Sequence, residues 1–174
     1  MSSENLYQRE ALEKYLELSR SIETSMMLTN LGSKPVDSIP MTPKRINDNG
    51  SILFFSKSTS DHNKNIQKDA DTQLIFSDVK SKEFLSVYGS TSISKDPVLI
   101  EELYGNLDNN WFDGKDDTTI TVLTFTPEQA QYWDTKTNSI VTLAKLAYTA
   151  ITGDETEIGT SGSLKLKEMT NSYF

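Results

Sequence analysis

Cysteine is absent from this 174-residue chain, which excludes disulfides, thiolate nucleophiles and thiolate metal sites together. Histidine occurs once, at His62. Its ordinary pKa near neutrality suits a base, but nothing beside it in sequence supplies an orienting partner, so a turn role or a phosphate hydrogen bond is expected. No apolar run approaches the roughly 18 residues of a membrane span. Residues 1–9 lack the basic and apolar regions of a secretory signal, so the expected location is cytoplasmic and no membrane partner is expected. Positive charge is scarce as well: 17 Lys and Arg against 25 Asp and Glu leave a net charge of −8. With a pI near 4.7, nucleic-acid binding is not expected, because a basic face is needed to release counterions from phosphates. Gly-rich nucleotide loops, hydrolase elbows and paired metal-ligand motifs are missing. Asp113, Asp116 and Asp117 miss the spacing of a calcium loop and read as solvated acids; no metal is expected.

What is present describes one domain with a polar surface, 36% hydrophobic by composition. Leu6, Leu12, Tyr15, Leu16 and Ile22 recur at helical spacing and predict a helix over Glu4–Ser21. Ser25–Thr29 and Pro35–Met41 predict a hairpin around the turn 30–34; Pro40 cannot donate to a ladder, so its strand should lie at an edge, a bulge or a ligand. Asn47–Gly50 predicts a turn and Ser51–Ser56 a buried strand. A short helix is expected over Asn63–Lys68, then strands over Gln73–Ser77, Glu83–Ser94 and Thr119–Thr126. Asp96 and Pro97 read as N-cap and first residue of a helix running to about Leu107. Thr126-Pro127-Glu128 reads as a restarted helical turn, Gln131–Thr135 as extended, and Ser139–Thr152 as a terminal helix. Strands in hairpin order with helices at the edges tend to close into a barrel.

The most informative segment is Ile52-Leu53-Phe54-Phe55-Ser56-Lys57, followed by a polar turn and Lys64. A strand ending in a hydroxyl, a helix start and two ammonium groups are the ingredients of a phosphate site, since exposed N–H groups and cations favour a dianion; a β–loop–α junction with lysines on a solvated turn carries the same pattern.

Seven segments taken in order resemble the pyridoxamine 5′-phosphate oxidase-like family, within it the bacterial general stress proteins. They are Ile39-Pro40-Met41; Ser51–Lys57 with Lys64; Thr72–Asp78; Phe84–Gly89; Asp96 to Tyr104; Trp111-Phe112-Asp113-Gly114; and Thr126–Asp134. The resemblance covers roughly residues 10–153. It implies a mainly β fold with flanking helices, an antiparallel FMN-binding split barrel of about six strands. That barrel is expected over residues 23–153, after an N-terminal helix at 1–22 and before a loosely structured tail at 154–174.

The resemblance also implies a homodimer with FMN, a small-molecule ligand, in a groove between subunits. Phe54, Phe55, Val87 and the Trp111 loop are candidates for the shared interface. Pro40 and Met41 would lie along the isoalloxazine, and Phe54, Phe55 and Ser56 on the strand passing the flavin. Lys64, with Lys57 and Asn63 nearby, would meet the phosphate. Ser86 and Gly89 would flank the site, and Trp111 and Trp133 would surround the ring. The family's usual arginine before Pro-Met is Ile39 here, its commoner threonine is Ser56, and its Ser/Arg pair before the phosphate lysine is His62-Asn63. A flavin-dependent oxidoreductase is the implied function, with no catalytic residue nominated. Pyridoxamine 5′-phosphate oxidation itself is not expected, for want of a second basic cluster. A flavin-holding or sensing module without turnover, or a deazaflavin (F420) user on the same barrel, stands as the alternative; the lone histidine on a polar turn argues against haem.

Overall fold

The computed structural model describes residues 2–3, 6–7, 9–134 and 160–166. Two-residue strands β1 (Ser2–Ser3) and β2 (Leu6–Tyr7) precede helix α1 (Arg9–Ser21), which therefore starts later than its periodicity predicts. Ala11, Tyr15, Leu18 and Ile22, spaced four, three and four residues apart, are all buried on its inner face. The Tyr15 hydroxyl donates to the Gly50 carbonyl at 2.8 Å, so the buried phenol satisfies its polar end on the turn 47–50.

Strands β3 (Ser25–Thr29) and β4 (Asp37–Met41) form the expected hairpin, and β5 (Arg45–Ile46) leads into β6 (Ile52–Lys57). Helix α2 (Asp61–Lys68) follows, then β7 (Asp71–Asp78), β8 (Glu83–Ser94), helix α3 (Pro97–Leu103), a 3-10 turn over Asn106–Asn110, and β9 (Ile120–Asp134). Strand β10 (Thr160–Lys165) closes the described part, inside the stretch whose composition reads as loosely structured. The predicted helix Ser139–Thr152 lies outside the described residues. Among the described residues seven strands of five or more residues stand against the six expected; the sheet order is β4-β3-β7-β8-β9-β10-β1, with β6 pairing β9 off this path. Each of the seven pairs antiparallel with its long neighbours. Pro40 lies on β4, whose only partner among the described residues is β3, so the missing N–H falls on an edge as expected.

Strand β9 is the axis of the fold. Its first half pairs with β6 through Phe125, and its second half pairs with β10 from Gln129 onward. Between these partners stands Pro127, where one side of β9 has no ladder to feed. The expected helical turn at Thr126–Glu128 is thus a continuous strand: proline is tolerated because its absent N–H is not needed in the gap. A register shift between Tyr88 and Gly89 on β8 lies opposite the same point. A Cβ on Gly89 would come within 2.1 Å of the Thr126 carbonyl oxygen, so glycine there serves the close approach of two strands.

Inward residues of the curled sheet meet α1 in one core containing Met27, Met41, Ile52, Phe54, Leu74, Phe76, Leu85, Val87, Leu123, Phe125 and Tyr132. Phe54 and Val87 are fully buried in it, which corrects their expected place at a subunit interface. On the opposite side of β6, Leu53 joins Ile100, Leu103, Phe112, Ile120 and Val122 in a second cluster that seats α3. Helix α3 stops at Leu103 rather than near Leu107. Its polypeptide re-enters as the 3-10 turn because the Asp108 carboxylate accepts from the Gly105 N–H at 2.7 Å and from the Lys44 ammonium.

Candidate functional site

Alternation along β6 decides which side each residue of the key segment serves. Ile52, Phe54 and Ser56 point inward; Leu53 and Phe55 point to the second cluster, and Lys57 is exposed at the strand end. Phe55 packs edge-on against Phe112 with ring centroids 6.0 Å apart, and the Lys44 ammonium lies 5.1 Å above its ring. Lys57 stands 5.9 Å from the centroid of Phe112.

Beyond Lys57 the chain turns, with Ser60 N–H donating to the Lys57 carbonyl at 2.9 Å, and α2 begins under a serine cap. The Ser60 hydroxyl accepts from the Asn63 backbone N–H at 3.3 Å, which places the helix start at Asp61, two residues before the predicted one. Asn63 is wholly buried and ties the junction together. Its amide donates to Ser56 Oγ at 2.6 Å and to Ser60 Oγ at 3.1 Å, and its Oδ1 accepts from Thr121 Oγ1 at 3.2 Å. Thr121, the register partner of Ser56 on β9, also directs its hydroxyl to the Ser56 carbonyl at 3.0 Å. The fifth member is His62, whose Nε2 lies within hydrogen-bonding distance of Ser56 Oγ and 3.1 Å from Ser60 Oγ. Burial lowers the imidazole pKa from its ordinary value, and the neighbouring Asp61 carboxylate offsets only part of that. With the ring proton on Nδ1, a neutral ring has one lone pair at Nε2 and takes one hydroxyl proton there, Ser56 Oγ being the nearer of the two serines.

Lys64 lies one residue beyond this network, on the exposed side of α2, and its ammonium donates to Asp61 Oδ1 at 2.8 Å. Geometry leaves the first N–H groups of α2, those of Asp61 and His62, without intrahelical acceptors. Ser56, Ser60, His62, Asn63, Lys57 and Lys64 are thus concentrated around one strand end and one helix start.

The other expected site residues divide into separate groups. Pro40 is exposed on β4 and Ser86 half-buried on β8; both lie on the outer sheet face, in a row running Pro40, Met26, Ile75, Ser86, Gln131 across five strands. Trp133, 36% exposed, stands opposite Phe84 one pair further along that face. Met41, Phe54 and Gly89 face the core instead, and Phe55 packs in the second cluster. Trp111 follows the 3-10 turn and is 73% exposed. Ser60 and Thr121 were not singled out by the sequence. A serine three residues ahead of Asn63 is a capping signal that could have marked Ser60, whereas Thr121 joins only through strand register.

Two clefts, of about 360 and 420 Å³, are lined by none of the expected site residues; one lies beside Lys95, Ile100 and Lys115, the other beside Arg20, Thr42 and Arg45. A third constellation, Glu17, Glu83 and Asp134, gathers carboxylates where α1 meets β8 and β9. The cation at its edge is the Lys14 ammonium, which bonds Asp134 and, at 3.0 Å, Glu17. Burial works against that charge, but the bonds to Asp134 and Glu17 outweigh it and the ammonium pKa is raised. No helix among the described residues is long and apolar enough to cross a membrane.

The chain matches the sequence profile of the family described as pyridoxamine 5′-phosphate oxidase like over residues 10–157. Among curated proteins none matches it significantly. Solved structures share the fold. A protein named provisionally as general stress protein 26, from Jannaschia sp. CCS1, superposes with a TM-score of 0.72 at 20% identity, covering 91% of this chain and 99% of its own. The general stress FMN/FAD binding protein of Xanthomonas citri gives 0.63 at 24% identity, covering 75% and 93%. A pyridoxamine 5′-phosphate oxidase-related, FMN binding protein of Nostoc punctiforme PCC 73102 gives 0.57 at 15% identity, covering 75% and 85%.

Proposed function

The chain belongs to the pyridoxamine 5′-phosphate oxidase like family, and from that membership we propose that it binds FMN at the β6–α2 junction, in a groove completed by a second copy of itself. The observation that carries this reading is the junction. Hydroxyls of Ser56 and Ser60, the ammonium groups of Lys57 and Lys64 and the opening N–H groups of α2 form a donor set suited to a phosphate dianion. Asp61 stands among them, paired with Lys64 in an exposed ion pair that a phosphate can displace, and Asp117 faces Lys57. Asn63 and Thr121 hold Ser56 in place.

The outer face carrying Pro40, Ser86 and Trp133 is the part of the surface that suits the flavin ring and the partner. Met26, Ile75 and Trp133, 39%, 37% and 36% exposed, leave apolar area on an otherwise polar sheet, as a homodimer contact would require. Bound flavin would supply redox chemistry, while the protein fixes its position and sets its surroundings. The resulting activity is that of a flavin-dependent oxidoreductase acting on a small molecule.

The Lys64→Ala variant tests the phosphate end. Losing one charged hydrogen bond costs about 1.5–3 kcal/mol, so FMN affinity should fall roughly ten- to a hundredfold while riboflavin affinity holds. Equal losses for both ligands would remove Lys64 from the site. A second reading, a flavin holder without turnover, gains from one observation: the lone imidazole is turned to Ser56 and Ser60 rather than to open solvent. Absorbance of the loaded protein mixed with NADH or NADPH separates the two, since bleaching by either donor favours the oxidoreductase.

A further inference from the structure

Resting on the phosphate assignment above, we propose that His62 gates that site by protonation: its neutral ring holds the Ser56 hydroxyl proton in the free protein, and its protonated ring becomes a donor to a bound phosphate monoester. The geometry sets up a competition. Ser56 Oγ accepts from the Asn63 amide, and so does Ser60 Oγ, which leaves each hydroxyl one proton to give. With the ring proton on Nδ1, His62 Nε2 takes the proton of Ser56, the nearer hydroxyl, while Ser60 Oγ lies 3.1 Å from Nε2 and 3.2 Å from Ser56 Oγ, to which it gives its own. A phosphate oxygen approaching the same hydroxyls is also an acceptor, so a neutral imidazole is its rival. Protonation reverses the relation. Both ring nitrogens then donate, the hydroxyl protons turn to the phosphate, and a positive charge is added beside it.

The charged surroundings leave the ring free to respond. On α2 the nearby charges are Asp61 and Lys64, already paired with each other. Lys57 at the end of β6 faces Asp117, whose carboxyl it helps to hold down to about 2 after the larger effects of hydrogen bonds from Thr119 and Asp113. The inward faces of β3 and β8 beside the helix offer Met27, Thr29, Val87, Gly89 and Thr91, none of them charged, and Thr121 on β9 is neutral. Asp37 on β4 meets α2 further along, at Asn65, 3.0 Å away. Burial disfavours the protonated ring in the free protein, and a bound dianion opposes that effect.

His62 is the chain's only histidine, so its ring protons can be followed by NMR without assignment. The titration midpoint should rise by about one pH unit when FMN is bound, equivalent to about tenfold tighter binding to the protonated form, and stay put with riboflavin. Because the FMN phosphate itself titrates near pH 6, affinities of the native protein and His62→Gln are compared at each pH. Their ratio should grow about tenfold from pH 8 to pH 5.5, the linkage expected for a one-unit rise in the midpoint. Equal midpoints with FMN and riboflavin, or a flat ratio, would overturn the gate alone, provided FMN still binds and Lys64→Ala weakens it selectively. Failure to bind either flavin would overturn the FMN reading itself, and the gate with it.

Discussion

At the scale of single residues, Gly89 and Asp117 show that loop and strand details here are structural before they are functional. Gly89→Ala would drive a methyl into the Thr126 carbonyl and Phe125 ring, both backed by the core. Destabilisation of about 3 kcal/mol is expected, the upper range for overpacking, and urea unfolding of the variant measures it. Asp117 accepts from the Thr119 hydroxyl at 2.6 Å, from the Thr119 N–H at 2.8 Å and from the Asp113 N–H at 3.0 Å, which hold its pKa at about 2. A carboxyl depressed in the folded state stabilises fully above its unfolded pKa near 3.9 and loses that contribution as pH falls toward 2. The difference in melting temperature between native protein and Asp117→Asn should therefore shrink between pH 5 and pH 2; a constant difference would contradict the assignment. Sequence pattern singled out Ser56, Lys57 and Lys64 because a hydroxyl and two cations around a polar turn follow an apolar run. It could not show that Asn63 is buried or that His62 faces the two serines, since both depend on how α2 folds back over β6.

At the scale of elements, apolar periodicity carried β3, β6, β7, β8 and the C-terminal end of α1 close to their observed limits, while the start of α1 came five residues late and punctuation residues misled. Pro127 follows a threonine and precedes a glutamate, which is the local chemistry of a helix start, yet tertiary pairing places it at the changeover from β6 to β10. Polar composition likewise concealed β10, a strand of Thr, Ser and Gly that borrows its order from β9. The attachment of α1 to the barrel rests on apolar burial and on Lys14, whose ammonium reaches Glu17 and Asp134. Lys14→Met would leave the largely buried Asp134 carboxylate beside Glu83 with a weakened set of partners. A loss of roughly 2–3 kcal/mol is expected, short of the 3–5 for a fully enclosed pair because Lys14 is partly exposed. Thermal unfolding reports it, and an unchanged midpoint would mean that packing alone holds α1.

At the scale of the whole molecule, the split barrel presents its apolar outer face and its basic strand–helix junction as parts of one proposed dimeric flavin site. Ile75→Lys places charge at the centre of the row from Pro40 to Gln131 without touching the core, because the Ile75 side chain is exposed. Sedimentation should show the native chain as a dimer and this variant shifted toward monomer, with FMN affinity reduced in step; a monomeric variant that binds FMN undiminished would separate the two ideas. The most direct test of the central claim is an FMN titration of the purified protein, followed by flavin fluorescence and with the sedimenting species sized in the same samples. Saturable quenching is expected, with one FMN per chain on a dimer and tighter binding of FMN than of riboflavin. Fluorescence that stays that of free flavin at every protein concentration, or saturation on a monomer with no preference for the phosphate, would contradict it.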